Sequence, residues 1–178
     1  GTGPGIKNHR TAIESYIKMH KPYVIALNTQ QNIAQDLIDV RAACHPVRLL
    51  ADCHEHLKLP QPLITPATML PKDVQQDLKN KVLYDFGIEI NVDGFEFNQN
   101  YAQLPTSLVM AYTLAIATCG QAQKILLAGF DGFDDGDPRN QESEAVFTAY
   151  DQASNALEVT SITPTRYRIN QISLYGTL

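Results

Sequence analysis

The sequence predicts a three-layer, Rossmann-like α/β fold built on a mainly parallel sheet. Continuous apolar runs at residues 23–27 and 125–128 are typical of central parallel strands that are buried on both faces. Amphipathic stretches such as residues 8–20 separate these runs. Because alternating strands and helices need right-handed crossovers, we expect helices on both faces of one sheet.

The first half of the chain alternates apolar runs with stretches of helical spacing. The helix predicted over residues 8–20 places Ile13 and Ile17 on one face, and Pro22 ends it. A second helix is predicted over residues 32–44 from apolar residues at the same spacing. The other elements predicted in this half are strands over residues 23–27, 47–51, 62–65 and 82–90 and a helix over residues 72–81.

The second half contains a polar segment, residues 91–105, and then a strongly apolar helix. A polar stretch of this length is expected to be a binding loop or a mobile lid. Thr106 and Ser107 can cap the helix that follows, and Gly120 suits its end. The remaining predicted elements are a strand over residues 124–128, a helix over residues 141–156 and a strand over residues 158–162.

Composition limits the classes of protein to consider. The 178 residues suit one domain, residues 1–178, and the net charge of −5 argues against a general binder of nucleic acid or membrane surfaces. Three widely spaced cysteines form no disulfide framework, and no apolar stretch could span a bilayer, so we expect a cytoplasmic location. A Gly-rich turn normally follows a strand, and this chain starts on such a turn without Met. We therefore expect a domain cut from a longer polypeptide.

The first candidate binding segment is the opening Gly-rich loop: Gly1, Thr2, Gly3, Pro4 and Gly5. Glycines allow a backbone to approach a phosphate closely, and the N-terminus of the following helix presents free N–H groups. The alternative is a tight strand-to-helix turn without a ligand, because the full six-residue dinucleotide fingerprint is absent.

Further candidates follow or precede the buried strands, at the edge where open α/β sheets bind ligands. Asn28 and Gln30 carry amides that can bind a base or a sugar hydroxyl, or that can cap a helix. Thr106 and Ser107 allow the same two interpretations. Gly129 and Asp131 follow the strand at residues 124–128 and complete the candidate nucleotide site.

Two clusters could hold a metal ion, but the sequence completes a ligand set at neither. Asp131 and three further aspartates lie within seven residues, yet turn aspartates are commonly solvated and the spacing is not that of an EF-hand. His54 and His56 lie two residues apart in a segment predicted to be a polar loop, with no later histidine to complete a zinc site. We therefore predict no metal, and no catalytic residue is assigned.

Taken in order, these segments resemble the bacterial sialyltransferases of glycosyltransferase family 42. That family's pattern is a Gly-x-Gly-Pro loop, a strand ending in Asn and Gln, hydroxyl residues opening a buried helix, and a strand ending in Gly-x-Asp. The counterparts here are residues 1–6, 28–30, 106–107 and 128–131. The resemblance implies a CMP-type nucleotide or CMP-sugar ligand. The family's catalytic His after the Gly-x-Asp strand has no counterpart, because His56 is the last histidine, so an acceptor hydroxyl would lack its base.

A second resemblance involves residues 45–52 and 161–167, which look like the C-terminal extension of bacterial HMG-CoA lyase-like aldolases. This resemblance implies a covalently linked N-terminal catalytic domain. The leading expectation is therefore an accessory domain that binds a nucleotide or nucleotide sugar. The alternatives are an active glycosyltransferase that uses a base other than His, and an oligomerisation scaffold that binds no ligand.

Overall fold

The computed structural model describes all 178 residues and contains seven helices and ten short strands. The helices are α1 (Pro4–Asn8), α2 (Arg10–His20), α3 (Pro46–Ala51), α4 (Cys53–Lys58), α5 (Lys72–Asp77), α6 (Val109–Cys119) and α7 (Pro138–Asp151). The strands are β1 (Ile25–Leu27), β2 (Val40–Ala42), β3 (Leu63–Thr65), β4 (Leu83–Asp85), β5 (Gly87–Ile90), β6 (Glu96–Phe97), β7 (Tyr101–Leu104), β8 (Ile125–Leu127), β9 (Val159–Ser161) and β10 (Asn170–Gln171). Single 3₁₀ turns lie at Gln35–Leu37, Ala67–Met69 and Leu174–Thr177.

The strands form two parallel sheets and a small mixed one. The first sheet has the order β1-β2-β3-β4, and the second has the order β10-β9-β8. All pairs in these two sheets are parallel, with Ile25 opposite Val40 and Ile125 opposite Val159. In the third sheet, β7 pairs in parallel with β5 and antiparallel with β6. The strand pairing is therefore mainly parallel.

The two parallel sheets share their helical layers. On one face, Ala26 of β1 and Leu126 of β8 pack in the same apolar cluster as Ile13 of α2. On the other face, Ile25 and Ile125 pack in the cluster that contains the buried residues of α6 and α7. Helices thus cover both faces of the strands, which confirms the predicted three-layer, Rossmann-like arrangement.

The crossovers bring the carboxyl ends of β1, β2 and β8 to one edge. The Cys44 thiol, two residues beyond β2, donates to the Ser107 carbonyl at 3.2 Å, so α6 begins beside the carboxyl end of β2. The chain then runs through α6 and enters β8 from the opposite end. In the same way, α1 and α2 start beside the carboxyl end of β8 and lead to the start of β1. We call this the carboxyl edge.

The prediction of a helix over residues 32–44 is wrong. This segment contains the 3₁₀ turn Gln35–Leu37 and strand β2, which lies between β1 and β3. Val40 and Ala42 are completely buried, and their backbone groups are paired on both sides of the strand. Pairing with two neighbours outweighs the helical spacing, which short apolar runs mimic.

The predictions of a strand over residues 47–51 and of a polar loop after it are also wrong. Residues 46–51 form α3, in which Pro46 occupies the first turn and Leu49 alone is buried. Proline at that position has a φ suited to a helix start and lacks an N–H that would be unpaired there. The histidine-containing segment forms α4, which buries Cys53 and His56 three residues apart on one face.

Some smaller predictions also need correction. Residues 91–105 are not wholly irregular, because they contain β6 and β7, in which Ala102 and Leu104 are fully buried. The helices predicted over residues 8–20 and 141–156 are α2 and α7, with shifted bounds, and α1 is an additional short helix that begins inside the Gly-rich loop. Finally, Leu108 is the N-cap residue of α6, so Thr106 and Ser107 do not cap it.

No helix combines the length and the apolar character that crossing a bilayer requires.

Candidate functional site

The Gly-rich loop lies directly on the turn that follows β8. The Gly1 amino group donates to the Ala128 carbonyl at 2.7 Å, and the Gly3 N–H donates to the Gly129 carbonyl at 2.9 Å. The Gly5 N–H donates to Oδ2 of Asp131 at 2.5 Å. Two of these bonds join predicted site residues to each other, and the third joins Gly1 to the residue before Gly129.

This contact is too close for side chains. A Cβ added to Gly1 would lie 2.0 Å from the Gly129 carbonyl oxygen, and one added to Gly3 would lie 2.9 Å from the same atom. A Cβ on Gly5 would lie 2.7 Å from Oδ2 of Asp131. Gly129 itself has a φ of +72°, a conformation that favours glycine. The glycines are therefore required by the close approach of two backbone segments.

These contacts use the backbone N–H groups of the Gly-rich loop that were predicted to bind a phosphate. Gly3 and Gly5 donate to protein oxygens, and the Asp131 carboxylate lies at the start of α1. A carboxylate there takes the position in which a helix N-terminus would hold an anion. Any phosphate bound at this edge must therefore be held by other groups.

Asp131 has one oxygen without a partner. Oδ2 accepts the Gly5 N–H, whereas Oδ1 is buried and makes no hydrogen bond. The surrounding turn is held by Thr163, whose hydroxyl accepts the Gly129 N–H, and by Thr165, which donates to the Phe130 carbonyl at 2.6 Å. An ionised carboxylate only accepts hydrogen bonds, so Oδ1 can bind a hydroxyl or amine donor.

Asn28 and Gln30 lie after β1 and are held there by a buried arginine. Asn28 has a φ of +51°, and its carbonyl accepts Nη1 of Arg41 at 2.9 Å. The Gln30 carbonyl accepts the same nitrogen at 2.8 Å, and the Gln30 side chain accepts the Asn32 N–H. Gln30 thus shapes its own turn, and its carboxamide oxygen is already in use.

Arg41 is the central residue of this network. Its guanidinium is fully buried and also donates to the side-chain oxygens of Gln61 at 2.9 Å and Gln35 at 2.6 Å. Burial lowers the pKa of Arg41 to about 10, because no carboxylate compensates for the lost hydration. Arg41 is not among the residues predicted for the site, although its position between Val40 and Ala42 in an apolar run could have singled it out.

Thr106 and Ser107 reach the carboxyl edge beside the end of β2. Both are half-buried, and the Ser107 carbonyl accepts the Cys44 thiol. Burial raises the pKa of Cys44 to about 12, so this thiol stays protonated. These residues therefore lie on the predicted edge, although they do not have the capping role predicted for them.

His45 is a second residue at this edge that is not among the predicted site residues. It follows Cys44 at the carboxyl end of β2, is exposed, and is the N-cap residue of α3. A histidine directly after a buried apolar segment and before a proline was the available signal. His45 shows that a histidine can reach this edge from the first half of the chain.

The acidic and histidine clusters have other roles in the fold. Asp137 caps α7 by accepting the Arg139 N–H and pairs with the Arg139 guanidinium, which lowers the pKa of Asp137 to about 2. Asp135 pairs with Arg166. His56 is fully buried, and neither of its ring nitrogens has a hydrogen-bond partner. No group of three or more His, Cys, Asp and Glu side chains is arranged to hold a metal ion.

A wide groove lies away from these residues. It has a volume of about 920 Å³ and is lined by residues 92–97 and by one side of α7 and the turn after it. None of the residues predicted for the nucleotide site lines it. The carboxyl edge, with its unpartnered carboxylate oxygen, therefore remains the candidate site.

Comparisons with protein-family models, with curated proteins and with solved structures found no match to this chain.

Proposed function

We propose that this chain binds a nucleotide or nucleotide sugar at the carboxyl edge, with a sugar hydroxyl of the ligand donating to Asp131. The observation that carries the proposal is the buried Oδ1 of Asp131, which has no hydrogen-bond partner. A buried polar atom without a partner is costly, and a ligand hydroxyl removes that cost.

The position of Asp131 supports this assignment. It lies at the carboxyl end of β8, four residues beyond Leu127, and the Gly-rich loop packs against it. Ligands of open α/β sheets bind outside the carboxyl ends of the strands. Asn28, at the end of β1, supplies a second polar side chain at the same edge.

The phosphate of such a ligand is assigned to a different group from the glycine amides. Lys7 is exposed, lies in α1 two residues after Gly5 and makes no ion pair. Arg10, Arg139 and Arg166 are engaged in ion pairs, with Glu14, Asp137 and Asp135 respectively. Lys7 is therefore the available cation, and its flexible, exposed side chain contributes modestly.

The test is titration calorimetry with CMP, CDP, UDP, CMP-sialic acid and coenzyme A, comparing the wild type with Asp131→Asn. Asparagine keeps an oxygen for the Gly5 N–H but weakens the acceptor offered to a ligand hydroxyl. We expect at least one nucleotide to bind, with Kd raised about 10-fold in Asp131→Asn, the loss of about one charge-assisted hydrogen bond. The matched control is Asp134→Asn, in the same turn, with an unchanged Kd.

A ligand lacking the hydroxyls sharpens the test. The 2′,3′-dideoxy form of the nucleotide that binds should bind the wild type about 10-fold more weakly and should bind Asp131→Asn no more weakly than the parent nucleotide does. The proposal is wrong if none of the five compounds binds. It is also wrong if the losses from the variant and from the dideoxy ligand add independently.

A further inference from the structure

Strands β1 and β8 are each paired on one side only. β1 pairs with β2, and β8 pairs with β9. In a parallel ladder, alternate residues direct their N–H and C=O groups toward the same neighbour. Val24 accepts the Val40 N–H and Asn28 donates to Ala42, so the even-numbered residues of this segment face β2. The backbone groups of Ile25 and Leu27 consequently point away from β2, and of these the Leu27 carbonyl accepts a long bond, 3.4 Å, from the Gln30 N–H of the following turn.

The same alternation defines the free edge of β8. The Ile125 N–H donates to the Glu158 carbonyl, and Leu127 accepts the Ile162 N–H, so the odd-numbered residues face β9. The backbone groups of Leu126 and Ala128 therefore point away from β9. One of them already has a partner from outside the sheet, because the Ala128 carbonyl accepts the Gly1 nitrogen at 2.7 Å.

These two free edges lie inside the layered structure. α2 packs against Ala26 and Leu126 from one side, and the cluster around α6 packs against Ile25 and Ile125 from the other. Natural proteins usually keep an unpaired sheet edge short, place charged side chains on it or cover it. Here the two edges are instead flanked by helices that span both sheets, as around the central strand of a doubly wound fold.

The surroundings of the Gly1 nitrogen suit an amide better than an ammonium group. Gly1 is half-buried, and burial lowers the pKa of its amino group to about 5, against the opposing attraction of Asp131. A peptide N–H at this position would make the same bond to Ala128 without a buried charge. The next bond along the chain, from Gly3 to Gly129, continues the parallel direction.

We propose that β1 and β8 are joined by one further parallel strand, which occupies the space between their free edges and whose carboxyl end is bonded to the nitrogen of Gly1. The strand unites the two sheets in the order β4-β3-β2-β1-strand-β8-β9-β10. It accepts and donates hydrogen bonds at Ile25 and Leu27 on one side and at Leu126 and Ala128 on the other.

The position also specifies the chemistry of the occupant. Both faces of the space are covered by apolar clusters, so the strand is a continuous apolar run, rich in Val and Ile. Its length matches β1 and β8 with their flanking residues, about five residues at ~3.3 Å each. Proline is excluded, because every N–H faces a neighbouring strand.

The test compares the 178-residue chain with the same chain carrying the extension Lys-Val-Val-Ile-Ile-Val on Gly1. The matched control carries an extension in which the second and fourth residues are proline, which removes the amide donors. We expect the strand extension to raise Tm by about 10 °C or more, and the proline extension to leave it unchanged. Hydrogen exchange at Ile25, Leu27, Leu126 and Ala128 should slow at least about 100-fold with the strand extension alone.

A second variant tests the end of the strand separately. Acetylation of Gly1 replaces the ammonium group by an amide without adding a strand, and we expect it to raise Tm by a few degrees at pH 7. Slower exchange at the four amides with the strand extension supports the proposal, whereas unchanged exchange at all four overturns it. Equal effects of the strand and proline extensions overturn it as well. Nucleotide binding is measured separately, so the outcome is independent of the proposed function.

Discussion

Gly3 illustrates how closely the chain passes itself at the carboxyl edge. Its backbone is extended, with a φ of −60°, so alanine would fit the local conformation. The space does not allow alanine, because the added Cβ would lie 2.9 Å from the Gly129 carbonyl and 2.7 Å from Oδ1 of Asp131. The conflict is therefore between two segments and not within the loop.

We expect Gly3→Ala to lower the free energy of unfolding by about 2 kcal/mol, the typical cost of forcing a methyl group into a filled space. Gly176→Ala is the matched control, since its Cβ would lie 3.9 Å from the nearest atom. Urea unfolding curves of the two variants measure the difference. Equal stabilities for the two variants would contradict the close contact.

His56 is a buried histidine that the fold keeps neutral. Burial is the main cause that lowers its pKa to about 4, and the nearby Arg41 adds to the effect. The unfolded chain takes up a proton near pH 6.5, whereas the folded chain does so only near pH 4. Stability from this residue is therefore present above pH 6.5 and is lost as the pH falls from 6.5 to 4.

We expect His56→Leu to remove this pH dependence, which amounts to about 3 kcal/mol between pH 7 and pH 4. The measurement is the free energy of unfolding of wild type and variant at several pH values, with the difference between the two plotted against pH. The exposed His54, changed to Gln, is the control and should leave the wild-type dependence intact. A pH-independent difference between His56→Leu and wild type would contradict a lowered pKa.

Among the elements, α6 connects the parallel sheet to the small mixed sheet. Tyr112 of α6 is fully buried, and its hydroxyl donates to the Phe86 carbonyl at 2.5 Å, at the junction of β4 and β5. Burial raises the pKa of Tyr112, so the hydroxyl remains a donor. Together with the backbone bonds from Phe86 to Thr65 and from Gly87 to Asn100, this bond holds the point at which the chain leaves the first sheet and enters the third.

We expect Tyr112→Phe to lower the free energy of unfolding by about 1–2 kcal/mol, because it leaves the Phe86 carbonyl without its donor. Tyr84→Phe, at a side chain that is 51% exposed, is the control, with a change within about 0.5 kcal/mol. Hydrogen exchange should accelerate in β5 before it does in β1. No loss of stability in Tyr112→Phe would show that the bond contributes nothing.

At the scale of the whole molecule, the core consists of three apolar clusters. Cys44 belongs to the cluster around α6, and Cys53 belongs to the cluster that α3 and α5 form with β3. Both thiols are buried, and burial raises the pKa of each. Each therefore reacts with an alkylating reagent only when its own part of the molecule opens.

If residues 1–178 unfold as one unit, Cys44 and Cys53 should be alkylated with the same dependence on urea concentration. The half-exposed Cys119 should react faster and with little dependence on urea. Mass spectrometry of the labelled peptides after timed exposure to iodoacetamide measures all three. A shallower dependence at Cys53 would show that the cluster around α3 and α5 opens by itself.

The sequence by itself determined the fold class and the position of the candidate site. Apolar runs separated by amphipathic stretches were sufficient to predict strands β1, β3, β8 and β9 and helices α2, α6 and α7 within a few residues. The positions of the glycines, Asn28 and Asp131 at the ends of strands followed from the same alternation. Local periodicity carries this information because each strand or helix buries its own apolar face.

The tertiary structure decided the elements and roles that depend on distant partners. β2 is a strand because β1 and β3 pair with it, although its residues have helical spacing. Residues 46–51 form a helix in which only Leu49 is buried, whereas a central strand would bury both of its faces. The Gly3 and Gly5 amides bind Gly129 and Asp131, a choice that depends on residues more than 120 positions away. Spacing along the chain reports which residues can be buried, whereas hydrogen-bond partners at such separations are fixed only when the layers pack.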